Sequence, residues 1–437
     1  MTHRRQFLIA GLAAPFVLRG AALAQSRADI DVAIVGAGAA GLHAAHRARA
    51  LGLTSRIFEA RQRVGGRVHT DTALGSAFEA GAFYIHWSDE NPWTEIARTL
   101  AVPVVDDSTL WGGFNVFSNG RPLNSEERSR RRGGFWGLSS ALDGAPPEVD
   151  MSFGEAARRL NAGGPEAANG LTLLSLGEEP DRVSIRDYQR LNAGDDFVVP
   201  SGYGNLLERY AQGLDILLGT SVTQIDFSGV GVRLKTAQGI VSARAAIVTV
   251  PINVLKAETI RFTPDLPAST LGAIDGLGMG ALTKLALKFE GNRFGQSPWT
   301  QFFDTGSRKD LVNFEFWPFG NDLVVAHFGG DYAREVAASG EPAAIEHILG
   351  KLVAILGPEA RRAFRGGRLA GWSADPLSLG CYSIAKPGHA QARDALALPV
   401  ANRVWFAGEA SAGAGAMTAG GAALASAKAM EEIRRIL

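Results

Sequence analysis

Apolar and polar positions alternate along this chain with two different periods. An apolar run at Val32, Ile34 and Val35 turns on Gly36, Gly38 and Gly41, passes into an alanine-rich helical stretch, and is followed by a second apolar run at 56–58 that ends on Glu59. Those periods predict strand, helix and strand. Further along, Pro200, Ser201, Gly202 and Tyr203 lead into a predicted helix over 205–212 and a strand over 216–218. The runs 222–227, 231–236 and 240–243, parted by Gly229 and by Gln238 and Gly239, predict a three-stranded meander. A buried strand over 246–250 is then stopped by Pro251. Positions 282–289 alternate strictly, with Leu282, Lys284, Ala286 and Lys288 on one face and Thr283, Leu285, Leu287 and Phe289 on the other. Two more strands are predicted within 302–328, a helix over 340–356, and a last strand at Val404, Trp405 and Phe406 before an alanine-rich final helix. Between 101 and 195 helical periods at 152–160 and 166–176 are broken by glycine and proline, and no motif there carries chemistry.

The opening unit has the context a dinucleotide fingerprint requires. Gly36 makes the tight turn, Gly38 lets the protein backbone approach a pyrophosphate, and Gly41 lets helix and strand pack closely. Unpaired N–H groups at the helix start suit phosphate. Glu59, 18 residues past Gly41 at the tip of the second strand, is placed to accept ribose hydroxyls.

Arg61, Arg63 and the run Val64, Gly65, Gly66, Arg67 resemble the second fingerprint of flavin-dependent amine oxidases, so the resemblance implies FAD as cofactor. The stretch 77–96, with Gly81, Ala82, Ile85, His86, Asn91 and Pro92, is similar to the polyamine-oxidase branch, where such a stretch leaves the FAD domain and enters the active site. The stretches 251–267 and 277–289 resemble the polyamine-oxidase and histone-demethylase branch. By pattern alone Lys284 reads as an exposed strand lysine; the resemblance implies instead a lysine that holds a water against flavin N5. Val222 is either a contact to adenine or plain core. Gly408 and Glu409, then Met417 and Thr418, match family elements that bring backbone N–H groups and a helix N-terminus to the flavin. There a positive helix end favours the anionic reduced ring.

The family's substrate wall is matched by Trp372 to Pro376 and by Gly380 to Ser383. Tyr382 falls where an aromatic ring guides the amine to the flavin, since a ring face attracts a cation and an apolar pocket favours its deprotonation. The chain departs from the family at Ala416, where a second aromatic is usual. The cage is therefore open on one side or completed by Trp87 or Trp372. Cys381 has two readings, a thioether to the flavin as in monoamine oxidases or a small buried hydrophobe. His86 resembles a histidine that handles the substrate nitrogen, and its plain alternative is a hydrogen-bonded core residue. No arginine is marked by its context as a carboxylate clamp.

Composition adds bounds rather than identity. The chain is 46% hydrophobic and 20% charged with zero formal net charge, which gives no electrostatic case for nucleic acid. Arg128 to Arg132 follow two glutamates and read as a solvated helix face. With one cysteine, no internal disulfide and no cysteine-built metal site are possible, and no metal is expected. Arg4, Arg5, Gln6, Phe7 and Leu8, an apolar run and Ala22-Leu23-Ala24 resemble a twin-arginine export signal over 1–24. Its removal takes three arginines and no acids, leaving a mature charge of −3. A periplasmic location without a membrane anchor is expected, since Arg19 interrupts a run already short for a span.

The expected fold is α/β: a discontinuous Rossmann-like FAD domain of the amine oxidase type from 29–83, 198–255 and 395–437, and an α+β substrate domain with a mixed sheet from 84–197 and 256–394. The expected reaction is hydride transfer from the carbon beside a neutral amine to flavin N5. An imine then hydrolyses, and electrons pass to O2 or to a periplasmic carrier. An L-amino-acid oxidase of the same fold and a non-catalytic exported flavoprotein are the alternatives. Which amine is oxidised and the oligomeric state are not legible in the sequence.

Overall fold

The structure, a computed structural model, describes residues 28–144, 148–291, 293–306 and 310–437. The expected export signal lies outside them. Among the described residues no helix is long and apolar enough to cross a membrane.

The strand Ile30–Val35 is central because its residues from Val32 on are buried on both faces, the pattern of a parallel sheet covered by helices. It pairs in parallel with Ser55–Phe58 on one side and with Gly239–Val248 on the other, and Val404–Phe406 adds in parallel beyond. The helices Ala39–Ala50 and Ala419–Ile436 cover one face, packing through alanines against Ile34, Ile57 and Ile247. Small side chains allow that close approach. At Gly41 a Cβ would stand 1.9 Å from the Gly36 carbonyl oxygen, so no other residue fits there.

The meander and the predicted strand 246–250 are not separate. Gly239–Val248 is one ten-residue strand whose first half pairs antiparallel with Val232–Thr236 and whose second half pairs parallel with Ile30–Val35. The polar interruption at Arg244 reflects an exposed position bonded to Asp31, not a chain break. Arg261–Thr263 also joins this sheet, parallel to Val222–Asp226, beyond the expected boundary at 255.

The second sheet is mixed, in the order Phe364–Ala370, Leu282–Phe289, Leu323–Gly329, Val312–Phe316, Thr300–Asp304, Gly113–Ser118 and Arg121–Pro122. One face buries aromatic and branched side chains under the helices Gly330–Ala338 and Glu341–Leu356. Gly113–Ser118 comes from the stretch in which sequence periods gave helices alone, and it pairs in parallel with Thr300–Asp304. The expected helices nearby are Phe153–Leu160, capped by Ser152, and Gly164–Leu173. Arg128, Arg130 and Arg132 are exposed on the helix Ser125–Gly144. Tyr84–Ile85, Phe197–Val198 and Val105–Asp106 form a short three-stranded sheet with Phe197–Val198 in the middle.

Candidate functional site

A single cavity of about 1280 Å³ runs from the glycine turn at Gly36 and Gly38 to the polar face of the second sheet. Its first half is built largely from backbone. The helix Ala39–Ala50 starts at Gly38 with no side-chain cap and no acid in its first turn, which leaves its N–H groups for an anion. Glu59, buried at the tip of Ser55–Phe58, accepts hydrogen bonds from the backbone N–H groups of Ala37 and Arg61, each at 2.7 Å. These bonds fix the carboxylate and leave lone pairs facing the cavity. Arg61, Gly66 and Val222 line the same half, whereas Gly41 stands behind it as a packing residue.

A paired charge network closes this half. Glu409 accepts from Arg67 at 3.0 Å, from the Ser383 hydroxyl at 2.6 Å and from the Met417 N–H at 3.3 Å. Burial alone would raise its carboxyl, but Arg67, Arg393 and the serine outweigh burial and hold it below the ordinary value. Arg393, fully buried, is itself paired with Asp187 at 2.8 Å. Thr418 caps the final helix through the Gly421 N–H at 2.9 Å, and Gly408, Met417 and Thr418 all reach the cavity.

At the other half stand Lys284, Tyr382 and His86, all in the lining. Lys284 is buried, and its ammonium donates to the carbonyls of Gly81 at 2.8 Å and Glu79 at 3.1 Å. Burial pushes it below the ordinary lysine value, against the pull of Glu79 and Glu315. The face that periodicity alone reads as exposed is thus turned inward. Tyr382 donates its hydroxyl to the Ser175 carbonyl at 2.9 Å, and burial keeps it protonated. The His86 Nδ1 lies 3.0 Å from Asp196 near the more open end of the cavity.

Ala416 is buried and lines the cavity. Trp87 does not: its ring packs against Gly415 and Gly420, so it is no part of the cage. Trp372 does line the cavity, but its N–H is bonded to the Ala80 carbonyl at 2.7 Å and its ring lies about 6 Å from the guanidinium groups of Arg61 and Arg63, on the nucleotide side. Phe83, Tyr84 and Tyr188 supply further rings. The Cys381 Sγ accepts from the Leu282 N–H at 3.0 Å, and burial pushes the thiol up to about 12.

Sequence reasoning missed Gln301, Asn313, Glu315 and His327, which line the cavity from the second sheet. Asn313 and Glu315 alternate with the buried Phe314 and Phe316, and that period of two was the available signal. Lys284, His327 and Asn313 are register partners across three strands, and Glu315 is the partner of Gln301. Burial raises the Glu315 carboxyl to about 7, with Lys284 opposing and Asp107 adding to the shift.

A family model described as flavin containing amine oxidoreductase matches residues 39–433. The chain is 29% identical over 425 residues to a lysine-specific histone demethylase 1 homolog 2 of Arabidopsis thaliana, covering 87% of this chain and 55% of that protein. It is 28% identical over 427 residues to polyamine oxidase 4 of Oryza sativa subsp. japonica, covering 87% and 84%. Thus the chain spans about half the length of the demethylase homologue. Among solved structures it is similar to a wild-type putrescine oxidase bound to putrescine, with a TM-score of 0.76 at 20% identity, covering 92% of this chain and 98% of the other.

Proposed function

This chain belongs to the flavin-containing amine oxidoreductase family, its cofactor is FAD, and on that premise we propose that it oxidises an amine bearing a second positive charge. The residues present fit that cofactor: Gly36 and Gly38 leave room for a pyrophosphate at an uncapped helix start, and Glu59 is held with free lone pairs toward the cavity. Arg61, Arg67 and Glu409 line the same space. Bound there, FAD supplies the two-electron acceptor for a hydride from the carbon beside the amine nitrogen.

The chain's own residues prepare the substrate. Tyr382 and the rings around it exclude water and favour loss of the proton from the reacting amine, whose lone pair then forms the C=N bond as hydride leaves. Two of the three N–H groups of Lys284 are spent on carbonyls, leaving one for a water in the cavity. Glu315, with Asp107 behind it and Asp196 beside His86, makes the substrate end acidic. That supports a diamine or polyamine over a small monoamine, with the distal ammonium toward Glu315. Hydrolysis of the imine gives a carbonyl compound and a smaller amine or ammonia. The supporting observation is the continuity of one cavity from the glycine turn to Lys284, Tyr382 and Glu315.

An amino-acid substrate is less well supported, because the arginines in the lining are committed. Arg61 pairs with Asp375 at 2.9 Å, and Arg67 with Glu409. The non-catalytic reading rests on Ala416 alone and is opposed by Lys284 and Tyr382. We also read residues 1–24 as a twin-arginine signal, with O2 or a periplasmic carrier as final acceptor. Mass spectrometry of the periplasmic protein checks the cleavage, and peroxide assay the acceptor. The test of the main reading is the visible spectrum of the purified protein on anaerobic addition of monoamine, polyamine and L-amino-acid pools. Bleaching by polyamines is the expected result; bleaching by amino acids alone, or by none, overturns it.

A further inference from the structure

Next to the main cavity lies a small void of about 20 Å³, bounded by Glu79, Lys284, Glu315 and His327 with Phe83 and Phe319. The Nε2 of His327 is buried with no hydrogen-bond partner among the described residues. The Glu315 carboxylate, on a residue 5% exposed, makes none of the hydrogen bonds found among the described residues, whereas the Glu79 carboxylate is served by the Thr70 hydroxyl at 2.7 Å and the Tyr203 N–H at 3.3 Å. A buried polar atom without a partner, as at His327 Nε2, carries the full loss of its hydration.

The register sets the spacing. His327 pairs with Asn313, and Glu315 lies two residues further along the same strand, so the two side chains are diagonal neighbours on one face. Such neighbours stand roughly 7–8 Å apart at the backbone, too far for a short direct bond and well suited to a bridge. A single water needs roughly 10–15 Å³ and two to four polar partners. The void has that volume, and Glu79, Lys284, Glu315 and His327 stand in its lining.

We propose that this void holds one water bridging His327 Nε2 and the Glu315 carboxyl, so that His327 is a positioning residue for the acid that meets the substrate's distal charge. The bridge gives Glu315 a donor, which favours its ionised form, and fixes its orientation. It also leaves the last N–H of Lys284 for the main cavity. The groups facing Glu315 are Lys284 from Leu282–Phe289, His327 from Leu323–Gly329, Glu79 from Phe78–Glu79, Tyr84 from Tyr84–Ile85 and Asp107 from the turn Asp107–Thr109. Burial and Lys284 keep His327 neutral, down to about 3, so it acts as a hydrogen-bonding group and not as a charge.

This inference rests on the diamine reading for its kinetic consequence but not for the water. In a high-resolution crystal structure of the FAD-loaded protein, one ordered water within hydrogen-bond distance of His327 Nε2 and Glu315 is expected. An empty void, or Nε2 bonded to protein, overturns the proposal. In solution, His327→Leu is expected to raise KM for a diamine about tenfold with kcat nearly unchanged. It is also expected to move the rise of diamine kcat/KM with pH upward by about one unit, because Glu315 loses its donor. His327→Gln, whose amide reaches the Nε2 position, restores both, and His327→Asn, which stops short, does not. Equal behaviour of Leu and Gln variants with normal FAD content overturns the positioning role. Should Glu315→Gln leave the diamine KM unchanged, the diamine reading falls while the water still stands or falls by the crystal structure.

Discussion

The two halves of the cavity differ in how completely they satisfy their own polar groups. At the nucleotide end Glu59 holds two backbone N–H groups, and Arg67, Glu409, Arg393 and Asp187 form a closed set of pairs. At the other end the Asn313 Oδ1 and the His327 Nε2 are buried without hydrogen-bond partners among the described residues, and the Glu315 carboxylate, which also lines the cavity, makes none of the hydrogen bonds found among them. A region that completes its own hydrogen bonds is rigid and selects by shape. A region that leaves them open is less stable alone and selects by what a ligand brings. The first half is preformed for a large cofactor, and the second, on the function proposed above, is left open for a small cation.

The harshest break of that contrast is Gly41→Val. Its Cβ would collide with the Gly36 carbonyl, and overpacking of this kind costs about 1–3 kcal/mol or more. The expected result is protein without flavin absorbance. Lys284→Met leaves the nucleotide end intact, so FAD content is expected to stay normal while anaerobic flavin reduction slows by roughly 10²-fold or more. Normal reduction in that variant would remove Lys284 from the chemistry. Arg67→Ala opens the closed network and leaves Glu409 short of one cation; about 2–4 kcal/mol of stability is expected to be lost. The sign with pH follows from a lowered carboxyl. Glu409 contributes stability above its ordinary value of 4.5, and this fades as pH falls through its lower folded value. In Arg67→Ala that value rises, so acid unfolding should begin at a higher pH than in the wild type.

Glu315→Gln sharpens the contrast from the other side. Losing the charge is expected to weaken diamine binding by about 2 kcal/mol and spare monoamines. Because burial raises this carboxyl from 4.5 to about 7, the folded chain holds its proton more tightly than the unfolded one, and wild-type stability falls as pH rises through that window. The glutamine variant escapes this fall. Without substrate it should melt at a higher temperature than the wild type at pH 8, with little difference at pH 4.

The same contrast explains what the sequence showed. The nucleotide end is written in short spans, where Gly36, Gly38, Gly41 and Glu59 sit within one βαβ unit and each residue type follows from a local demand. The alternating face of 282–289 was legible too, but which side faced inward was not, because inward means toward Gly81 and Glu79 some two hundred residues away. Asn313, Glu315 and His327 meet Lys284 only through strand register, which no local period encodes. That Trp87, one of two candidates for completing the cage, lies outside the cavity lining was not legible for a related reason: its proximity in sequence to His86 says nothing of the left-handed backbone at φ 42° that turns it toward the final helix. The strand Gly113–Ser118 escaped because it lies near the sheet's edge, with Trp111 beside it and Phe114 on it partly in solvent, so it lacks a clean alternating face.

The smallest effect is expected at the seam of the two halves. Cys381 lies beside Tyr382 and next to Leu282, in the lining, at the place where a thioether to FAD is one of its two readings. Bond formation there requires a thiolate, since the thiol is a poor nucleophile. Burial holds this thiol up to about 12, and Arg67 and the Leu282 N–H do not offset it. The sulfur is also engaged as an acceptor, which matches the second reading, a small buried side chain serving the packing of Gly177 and Leu282. FAD is therefore expected to leave with the filtrate when the wild-type protein is denatured and filtered. Cys381→Ser should keep FAD content and turnover within about twofold, at a stability loss of about 1 kcal/mol. Yellow colour that stays with the denatured wild-type chain and disappears in the serine variant would reverse this, and would mean that FAD binding itself lowers the thiol's barrier to ionisation.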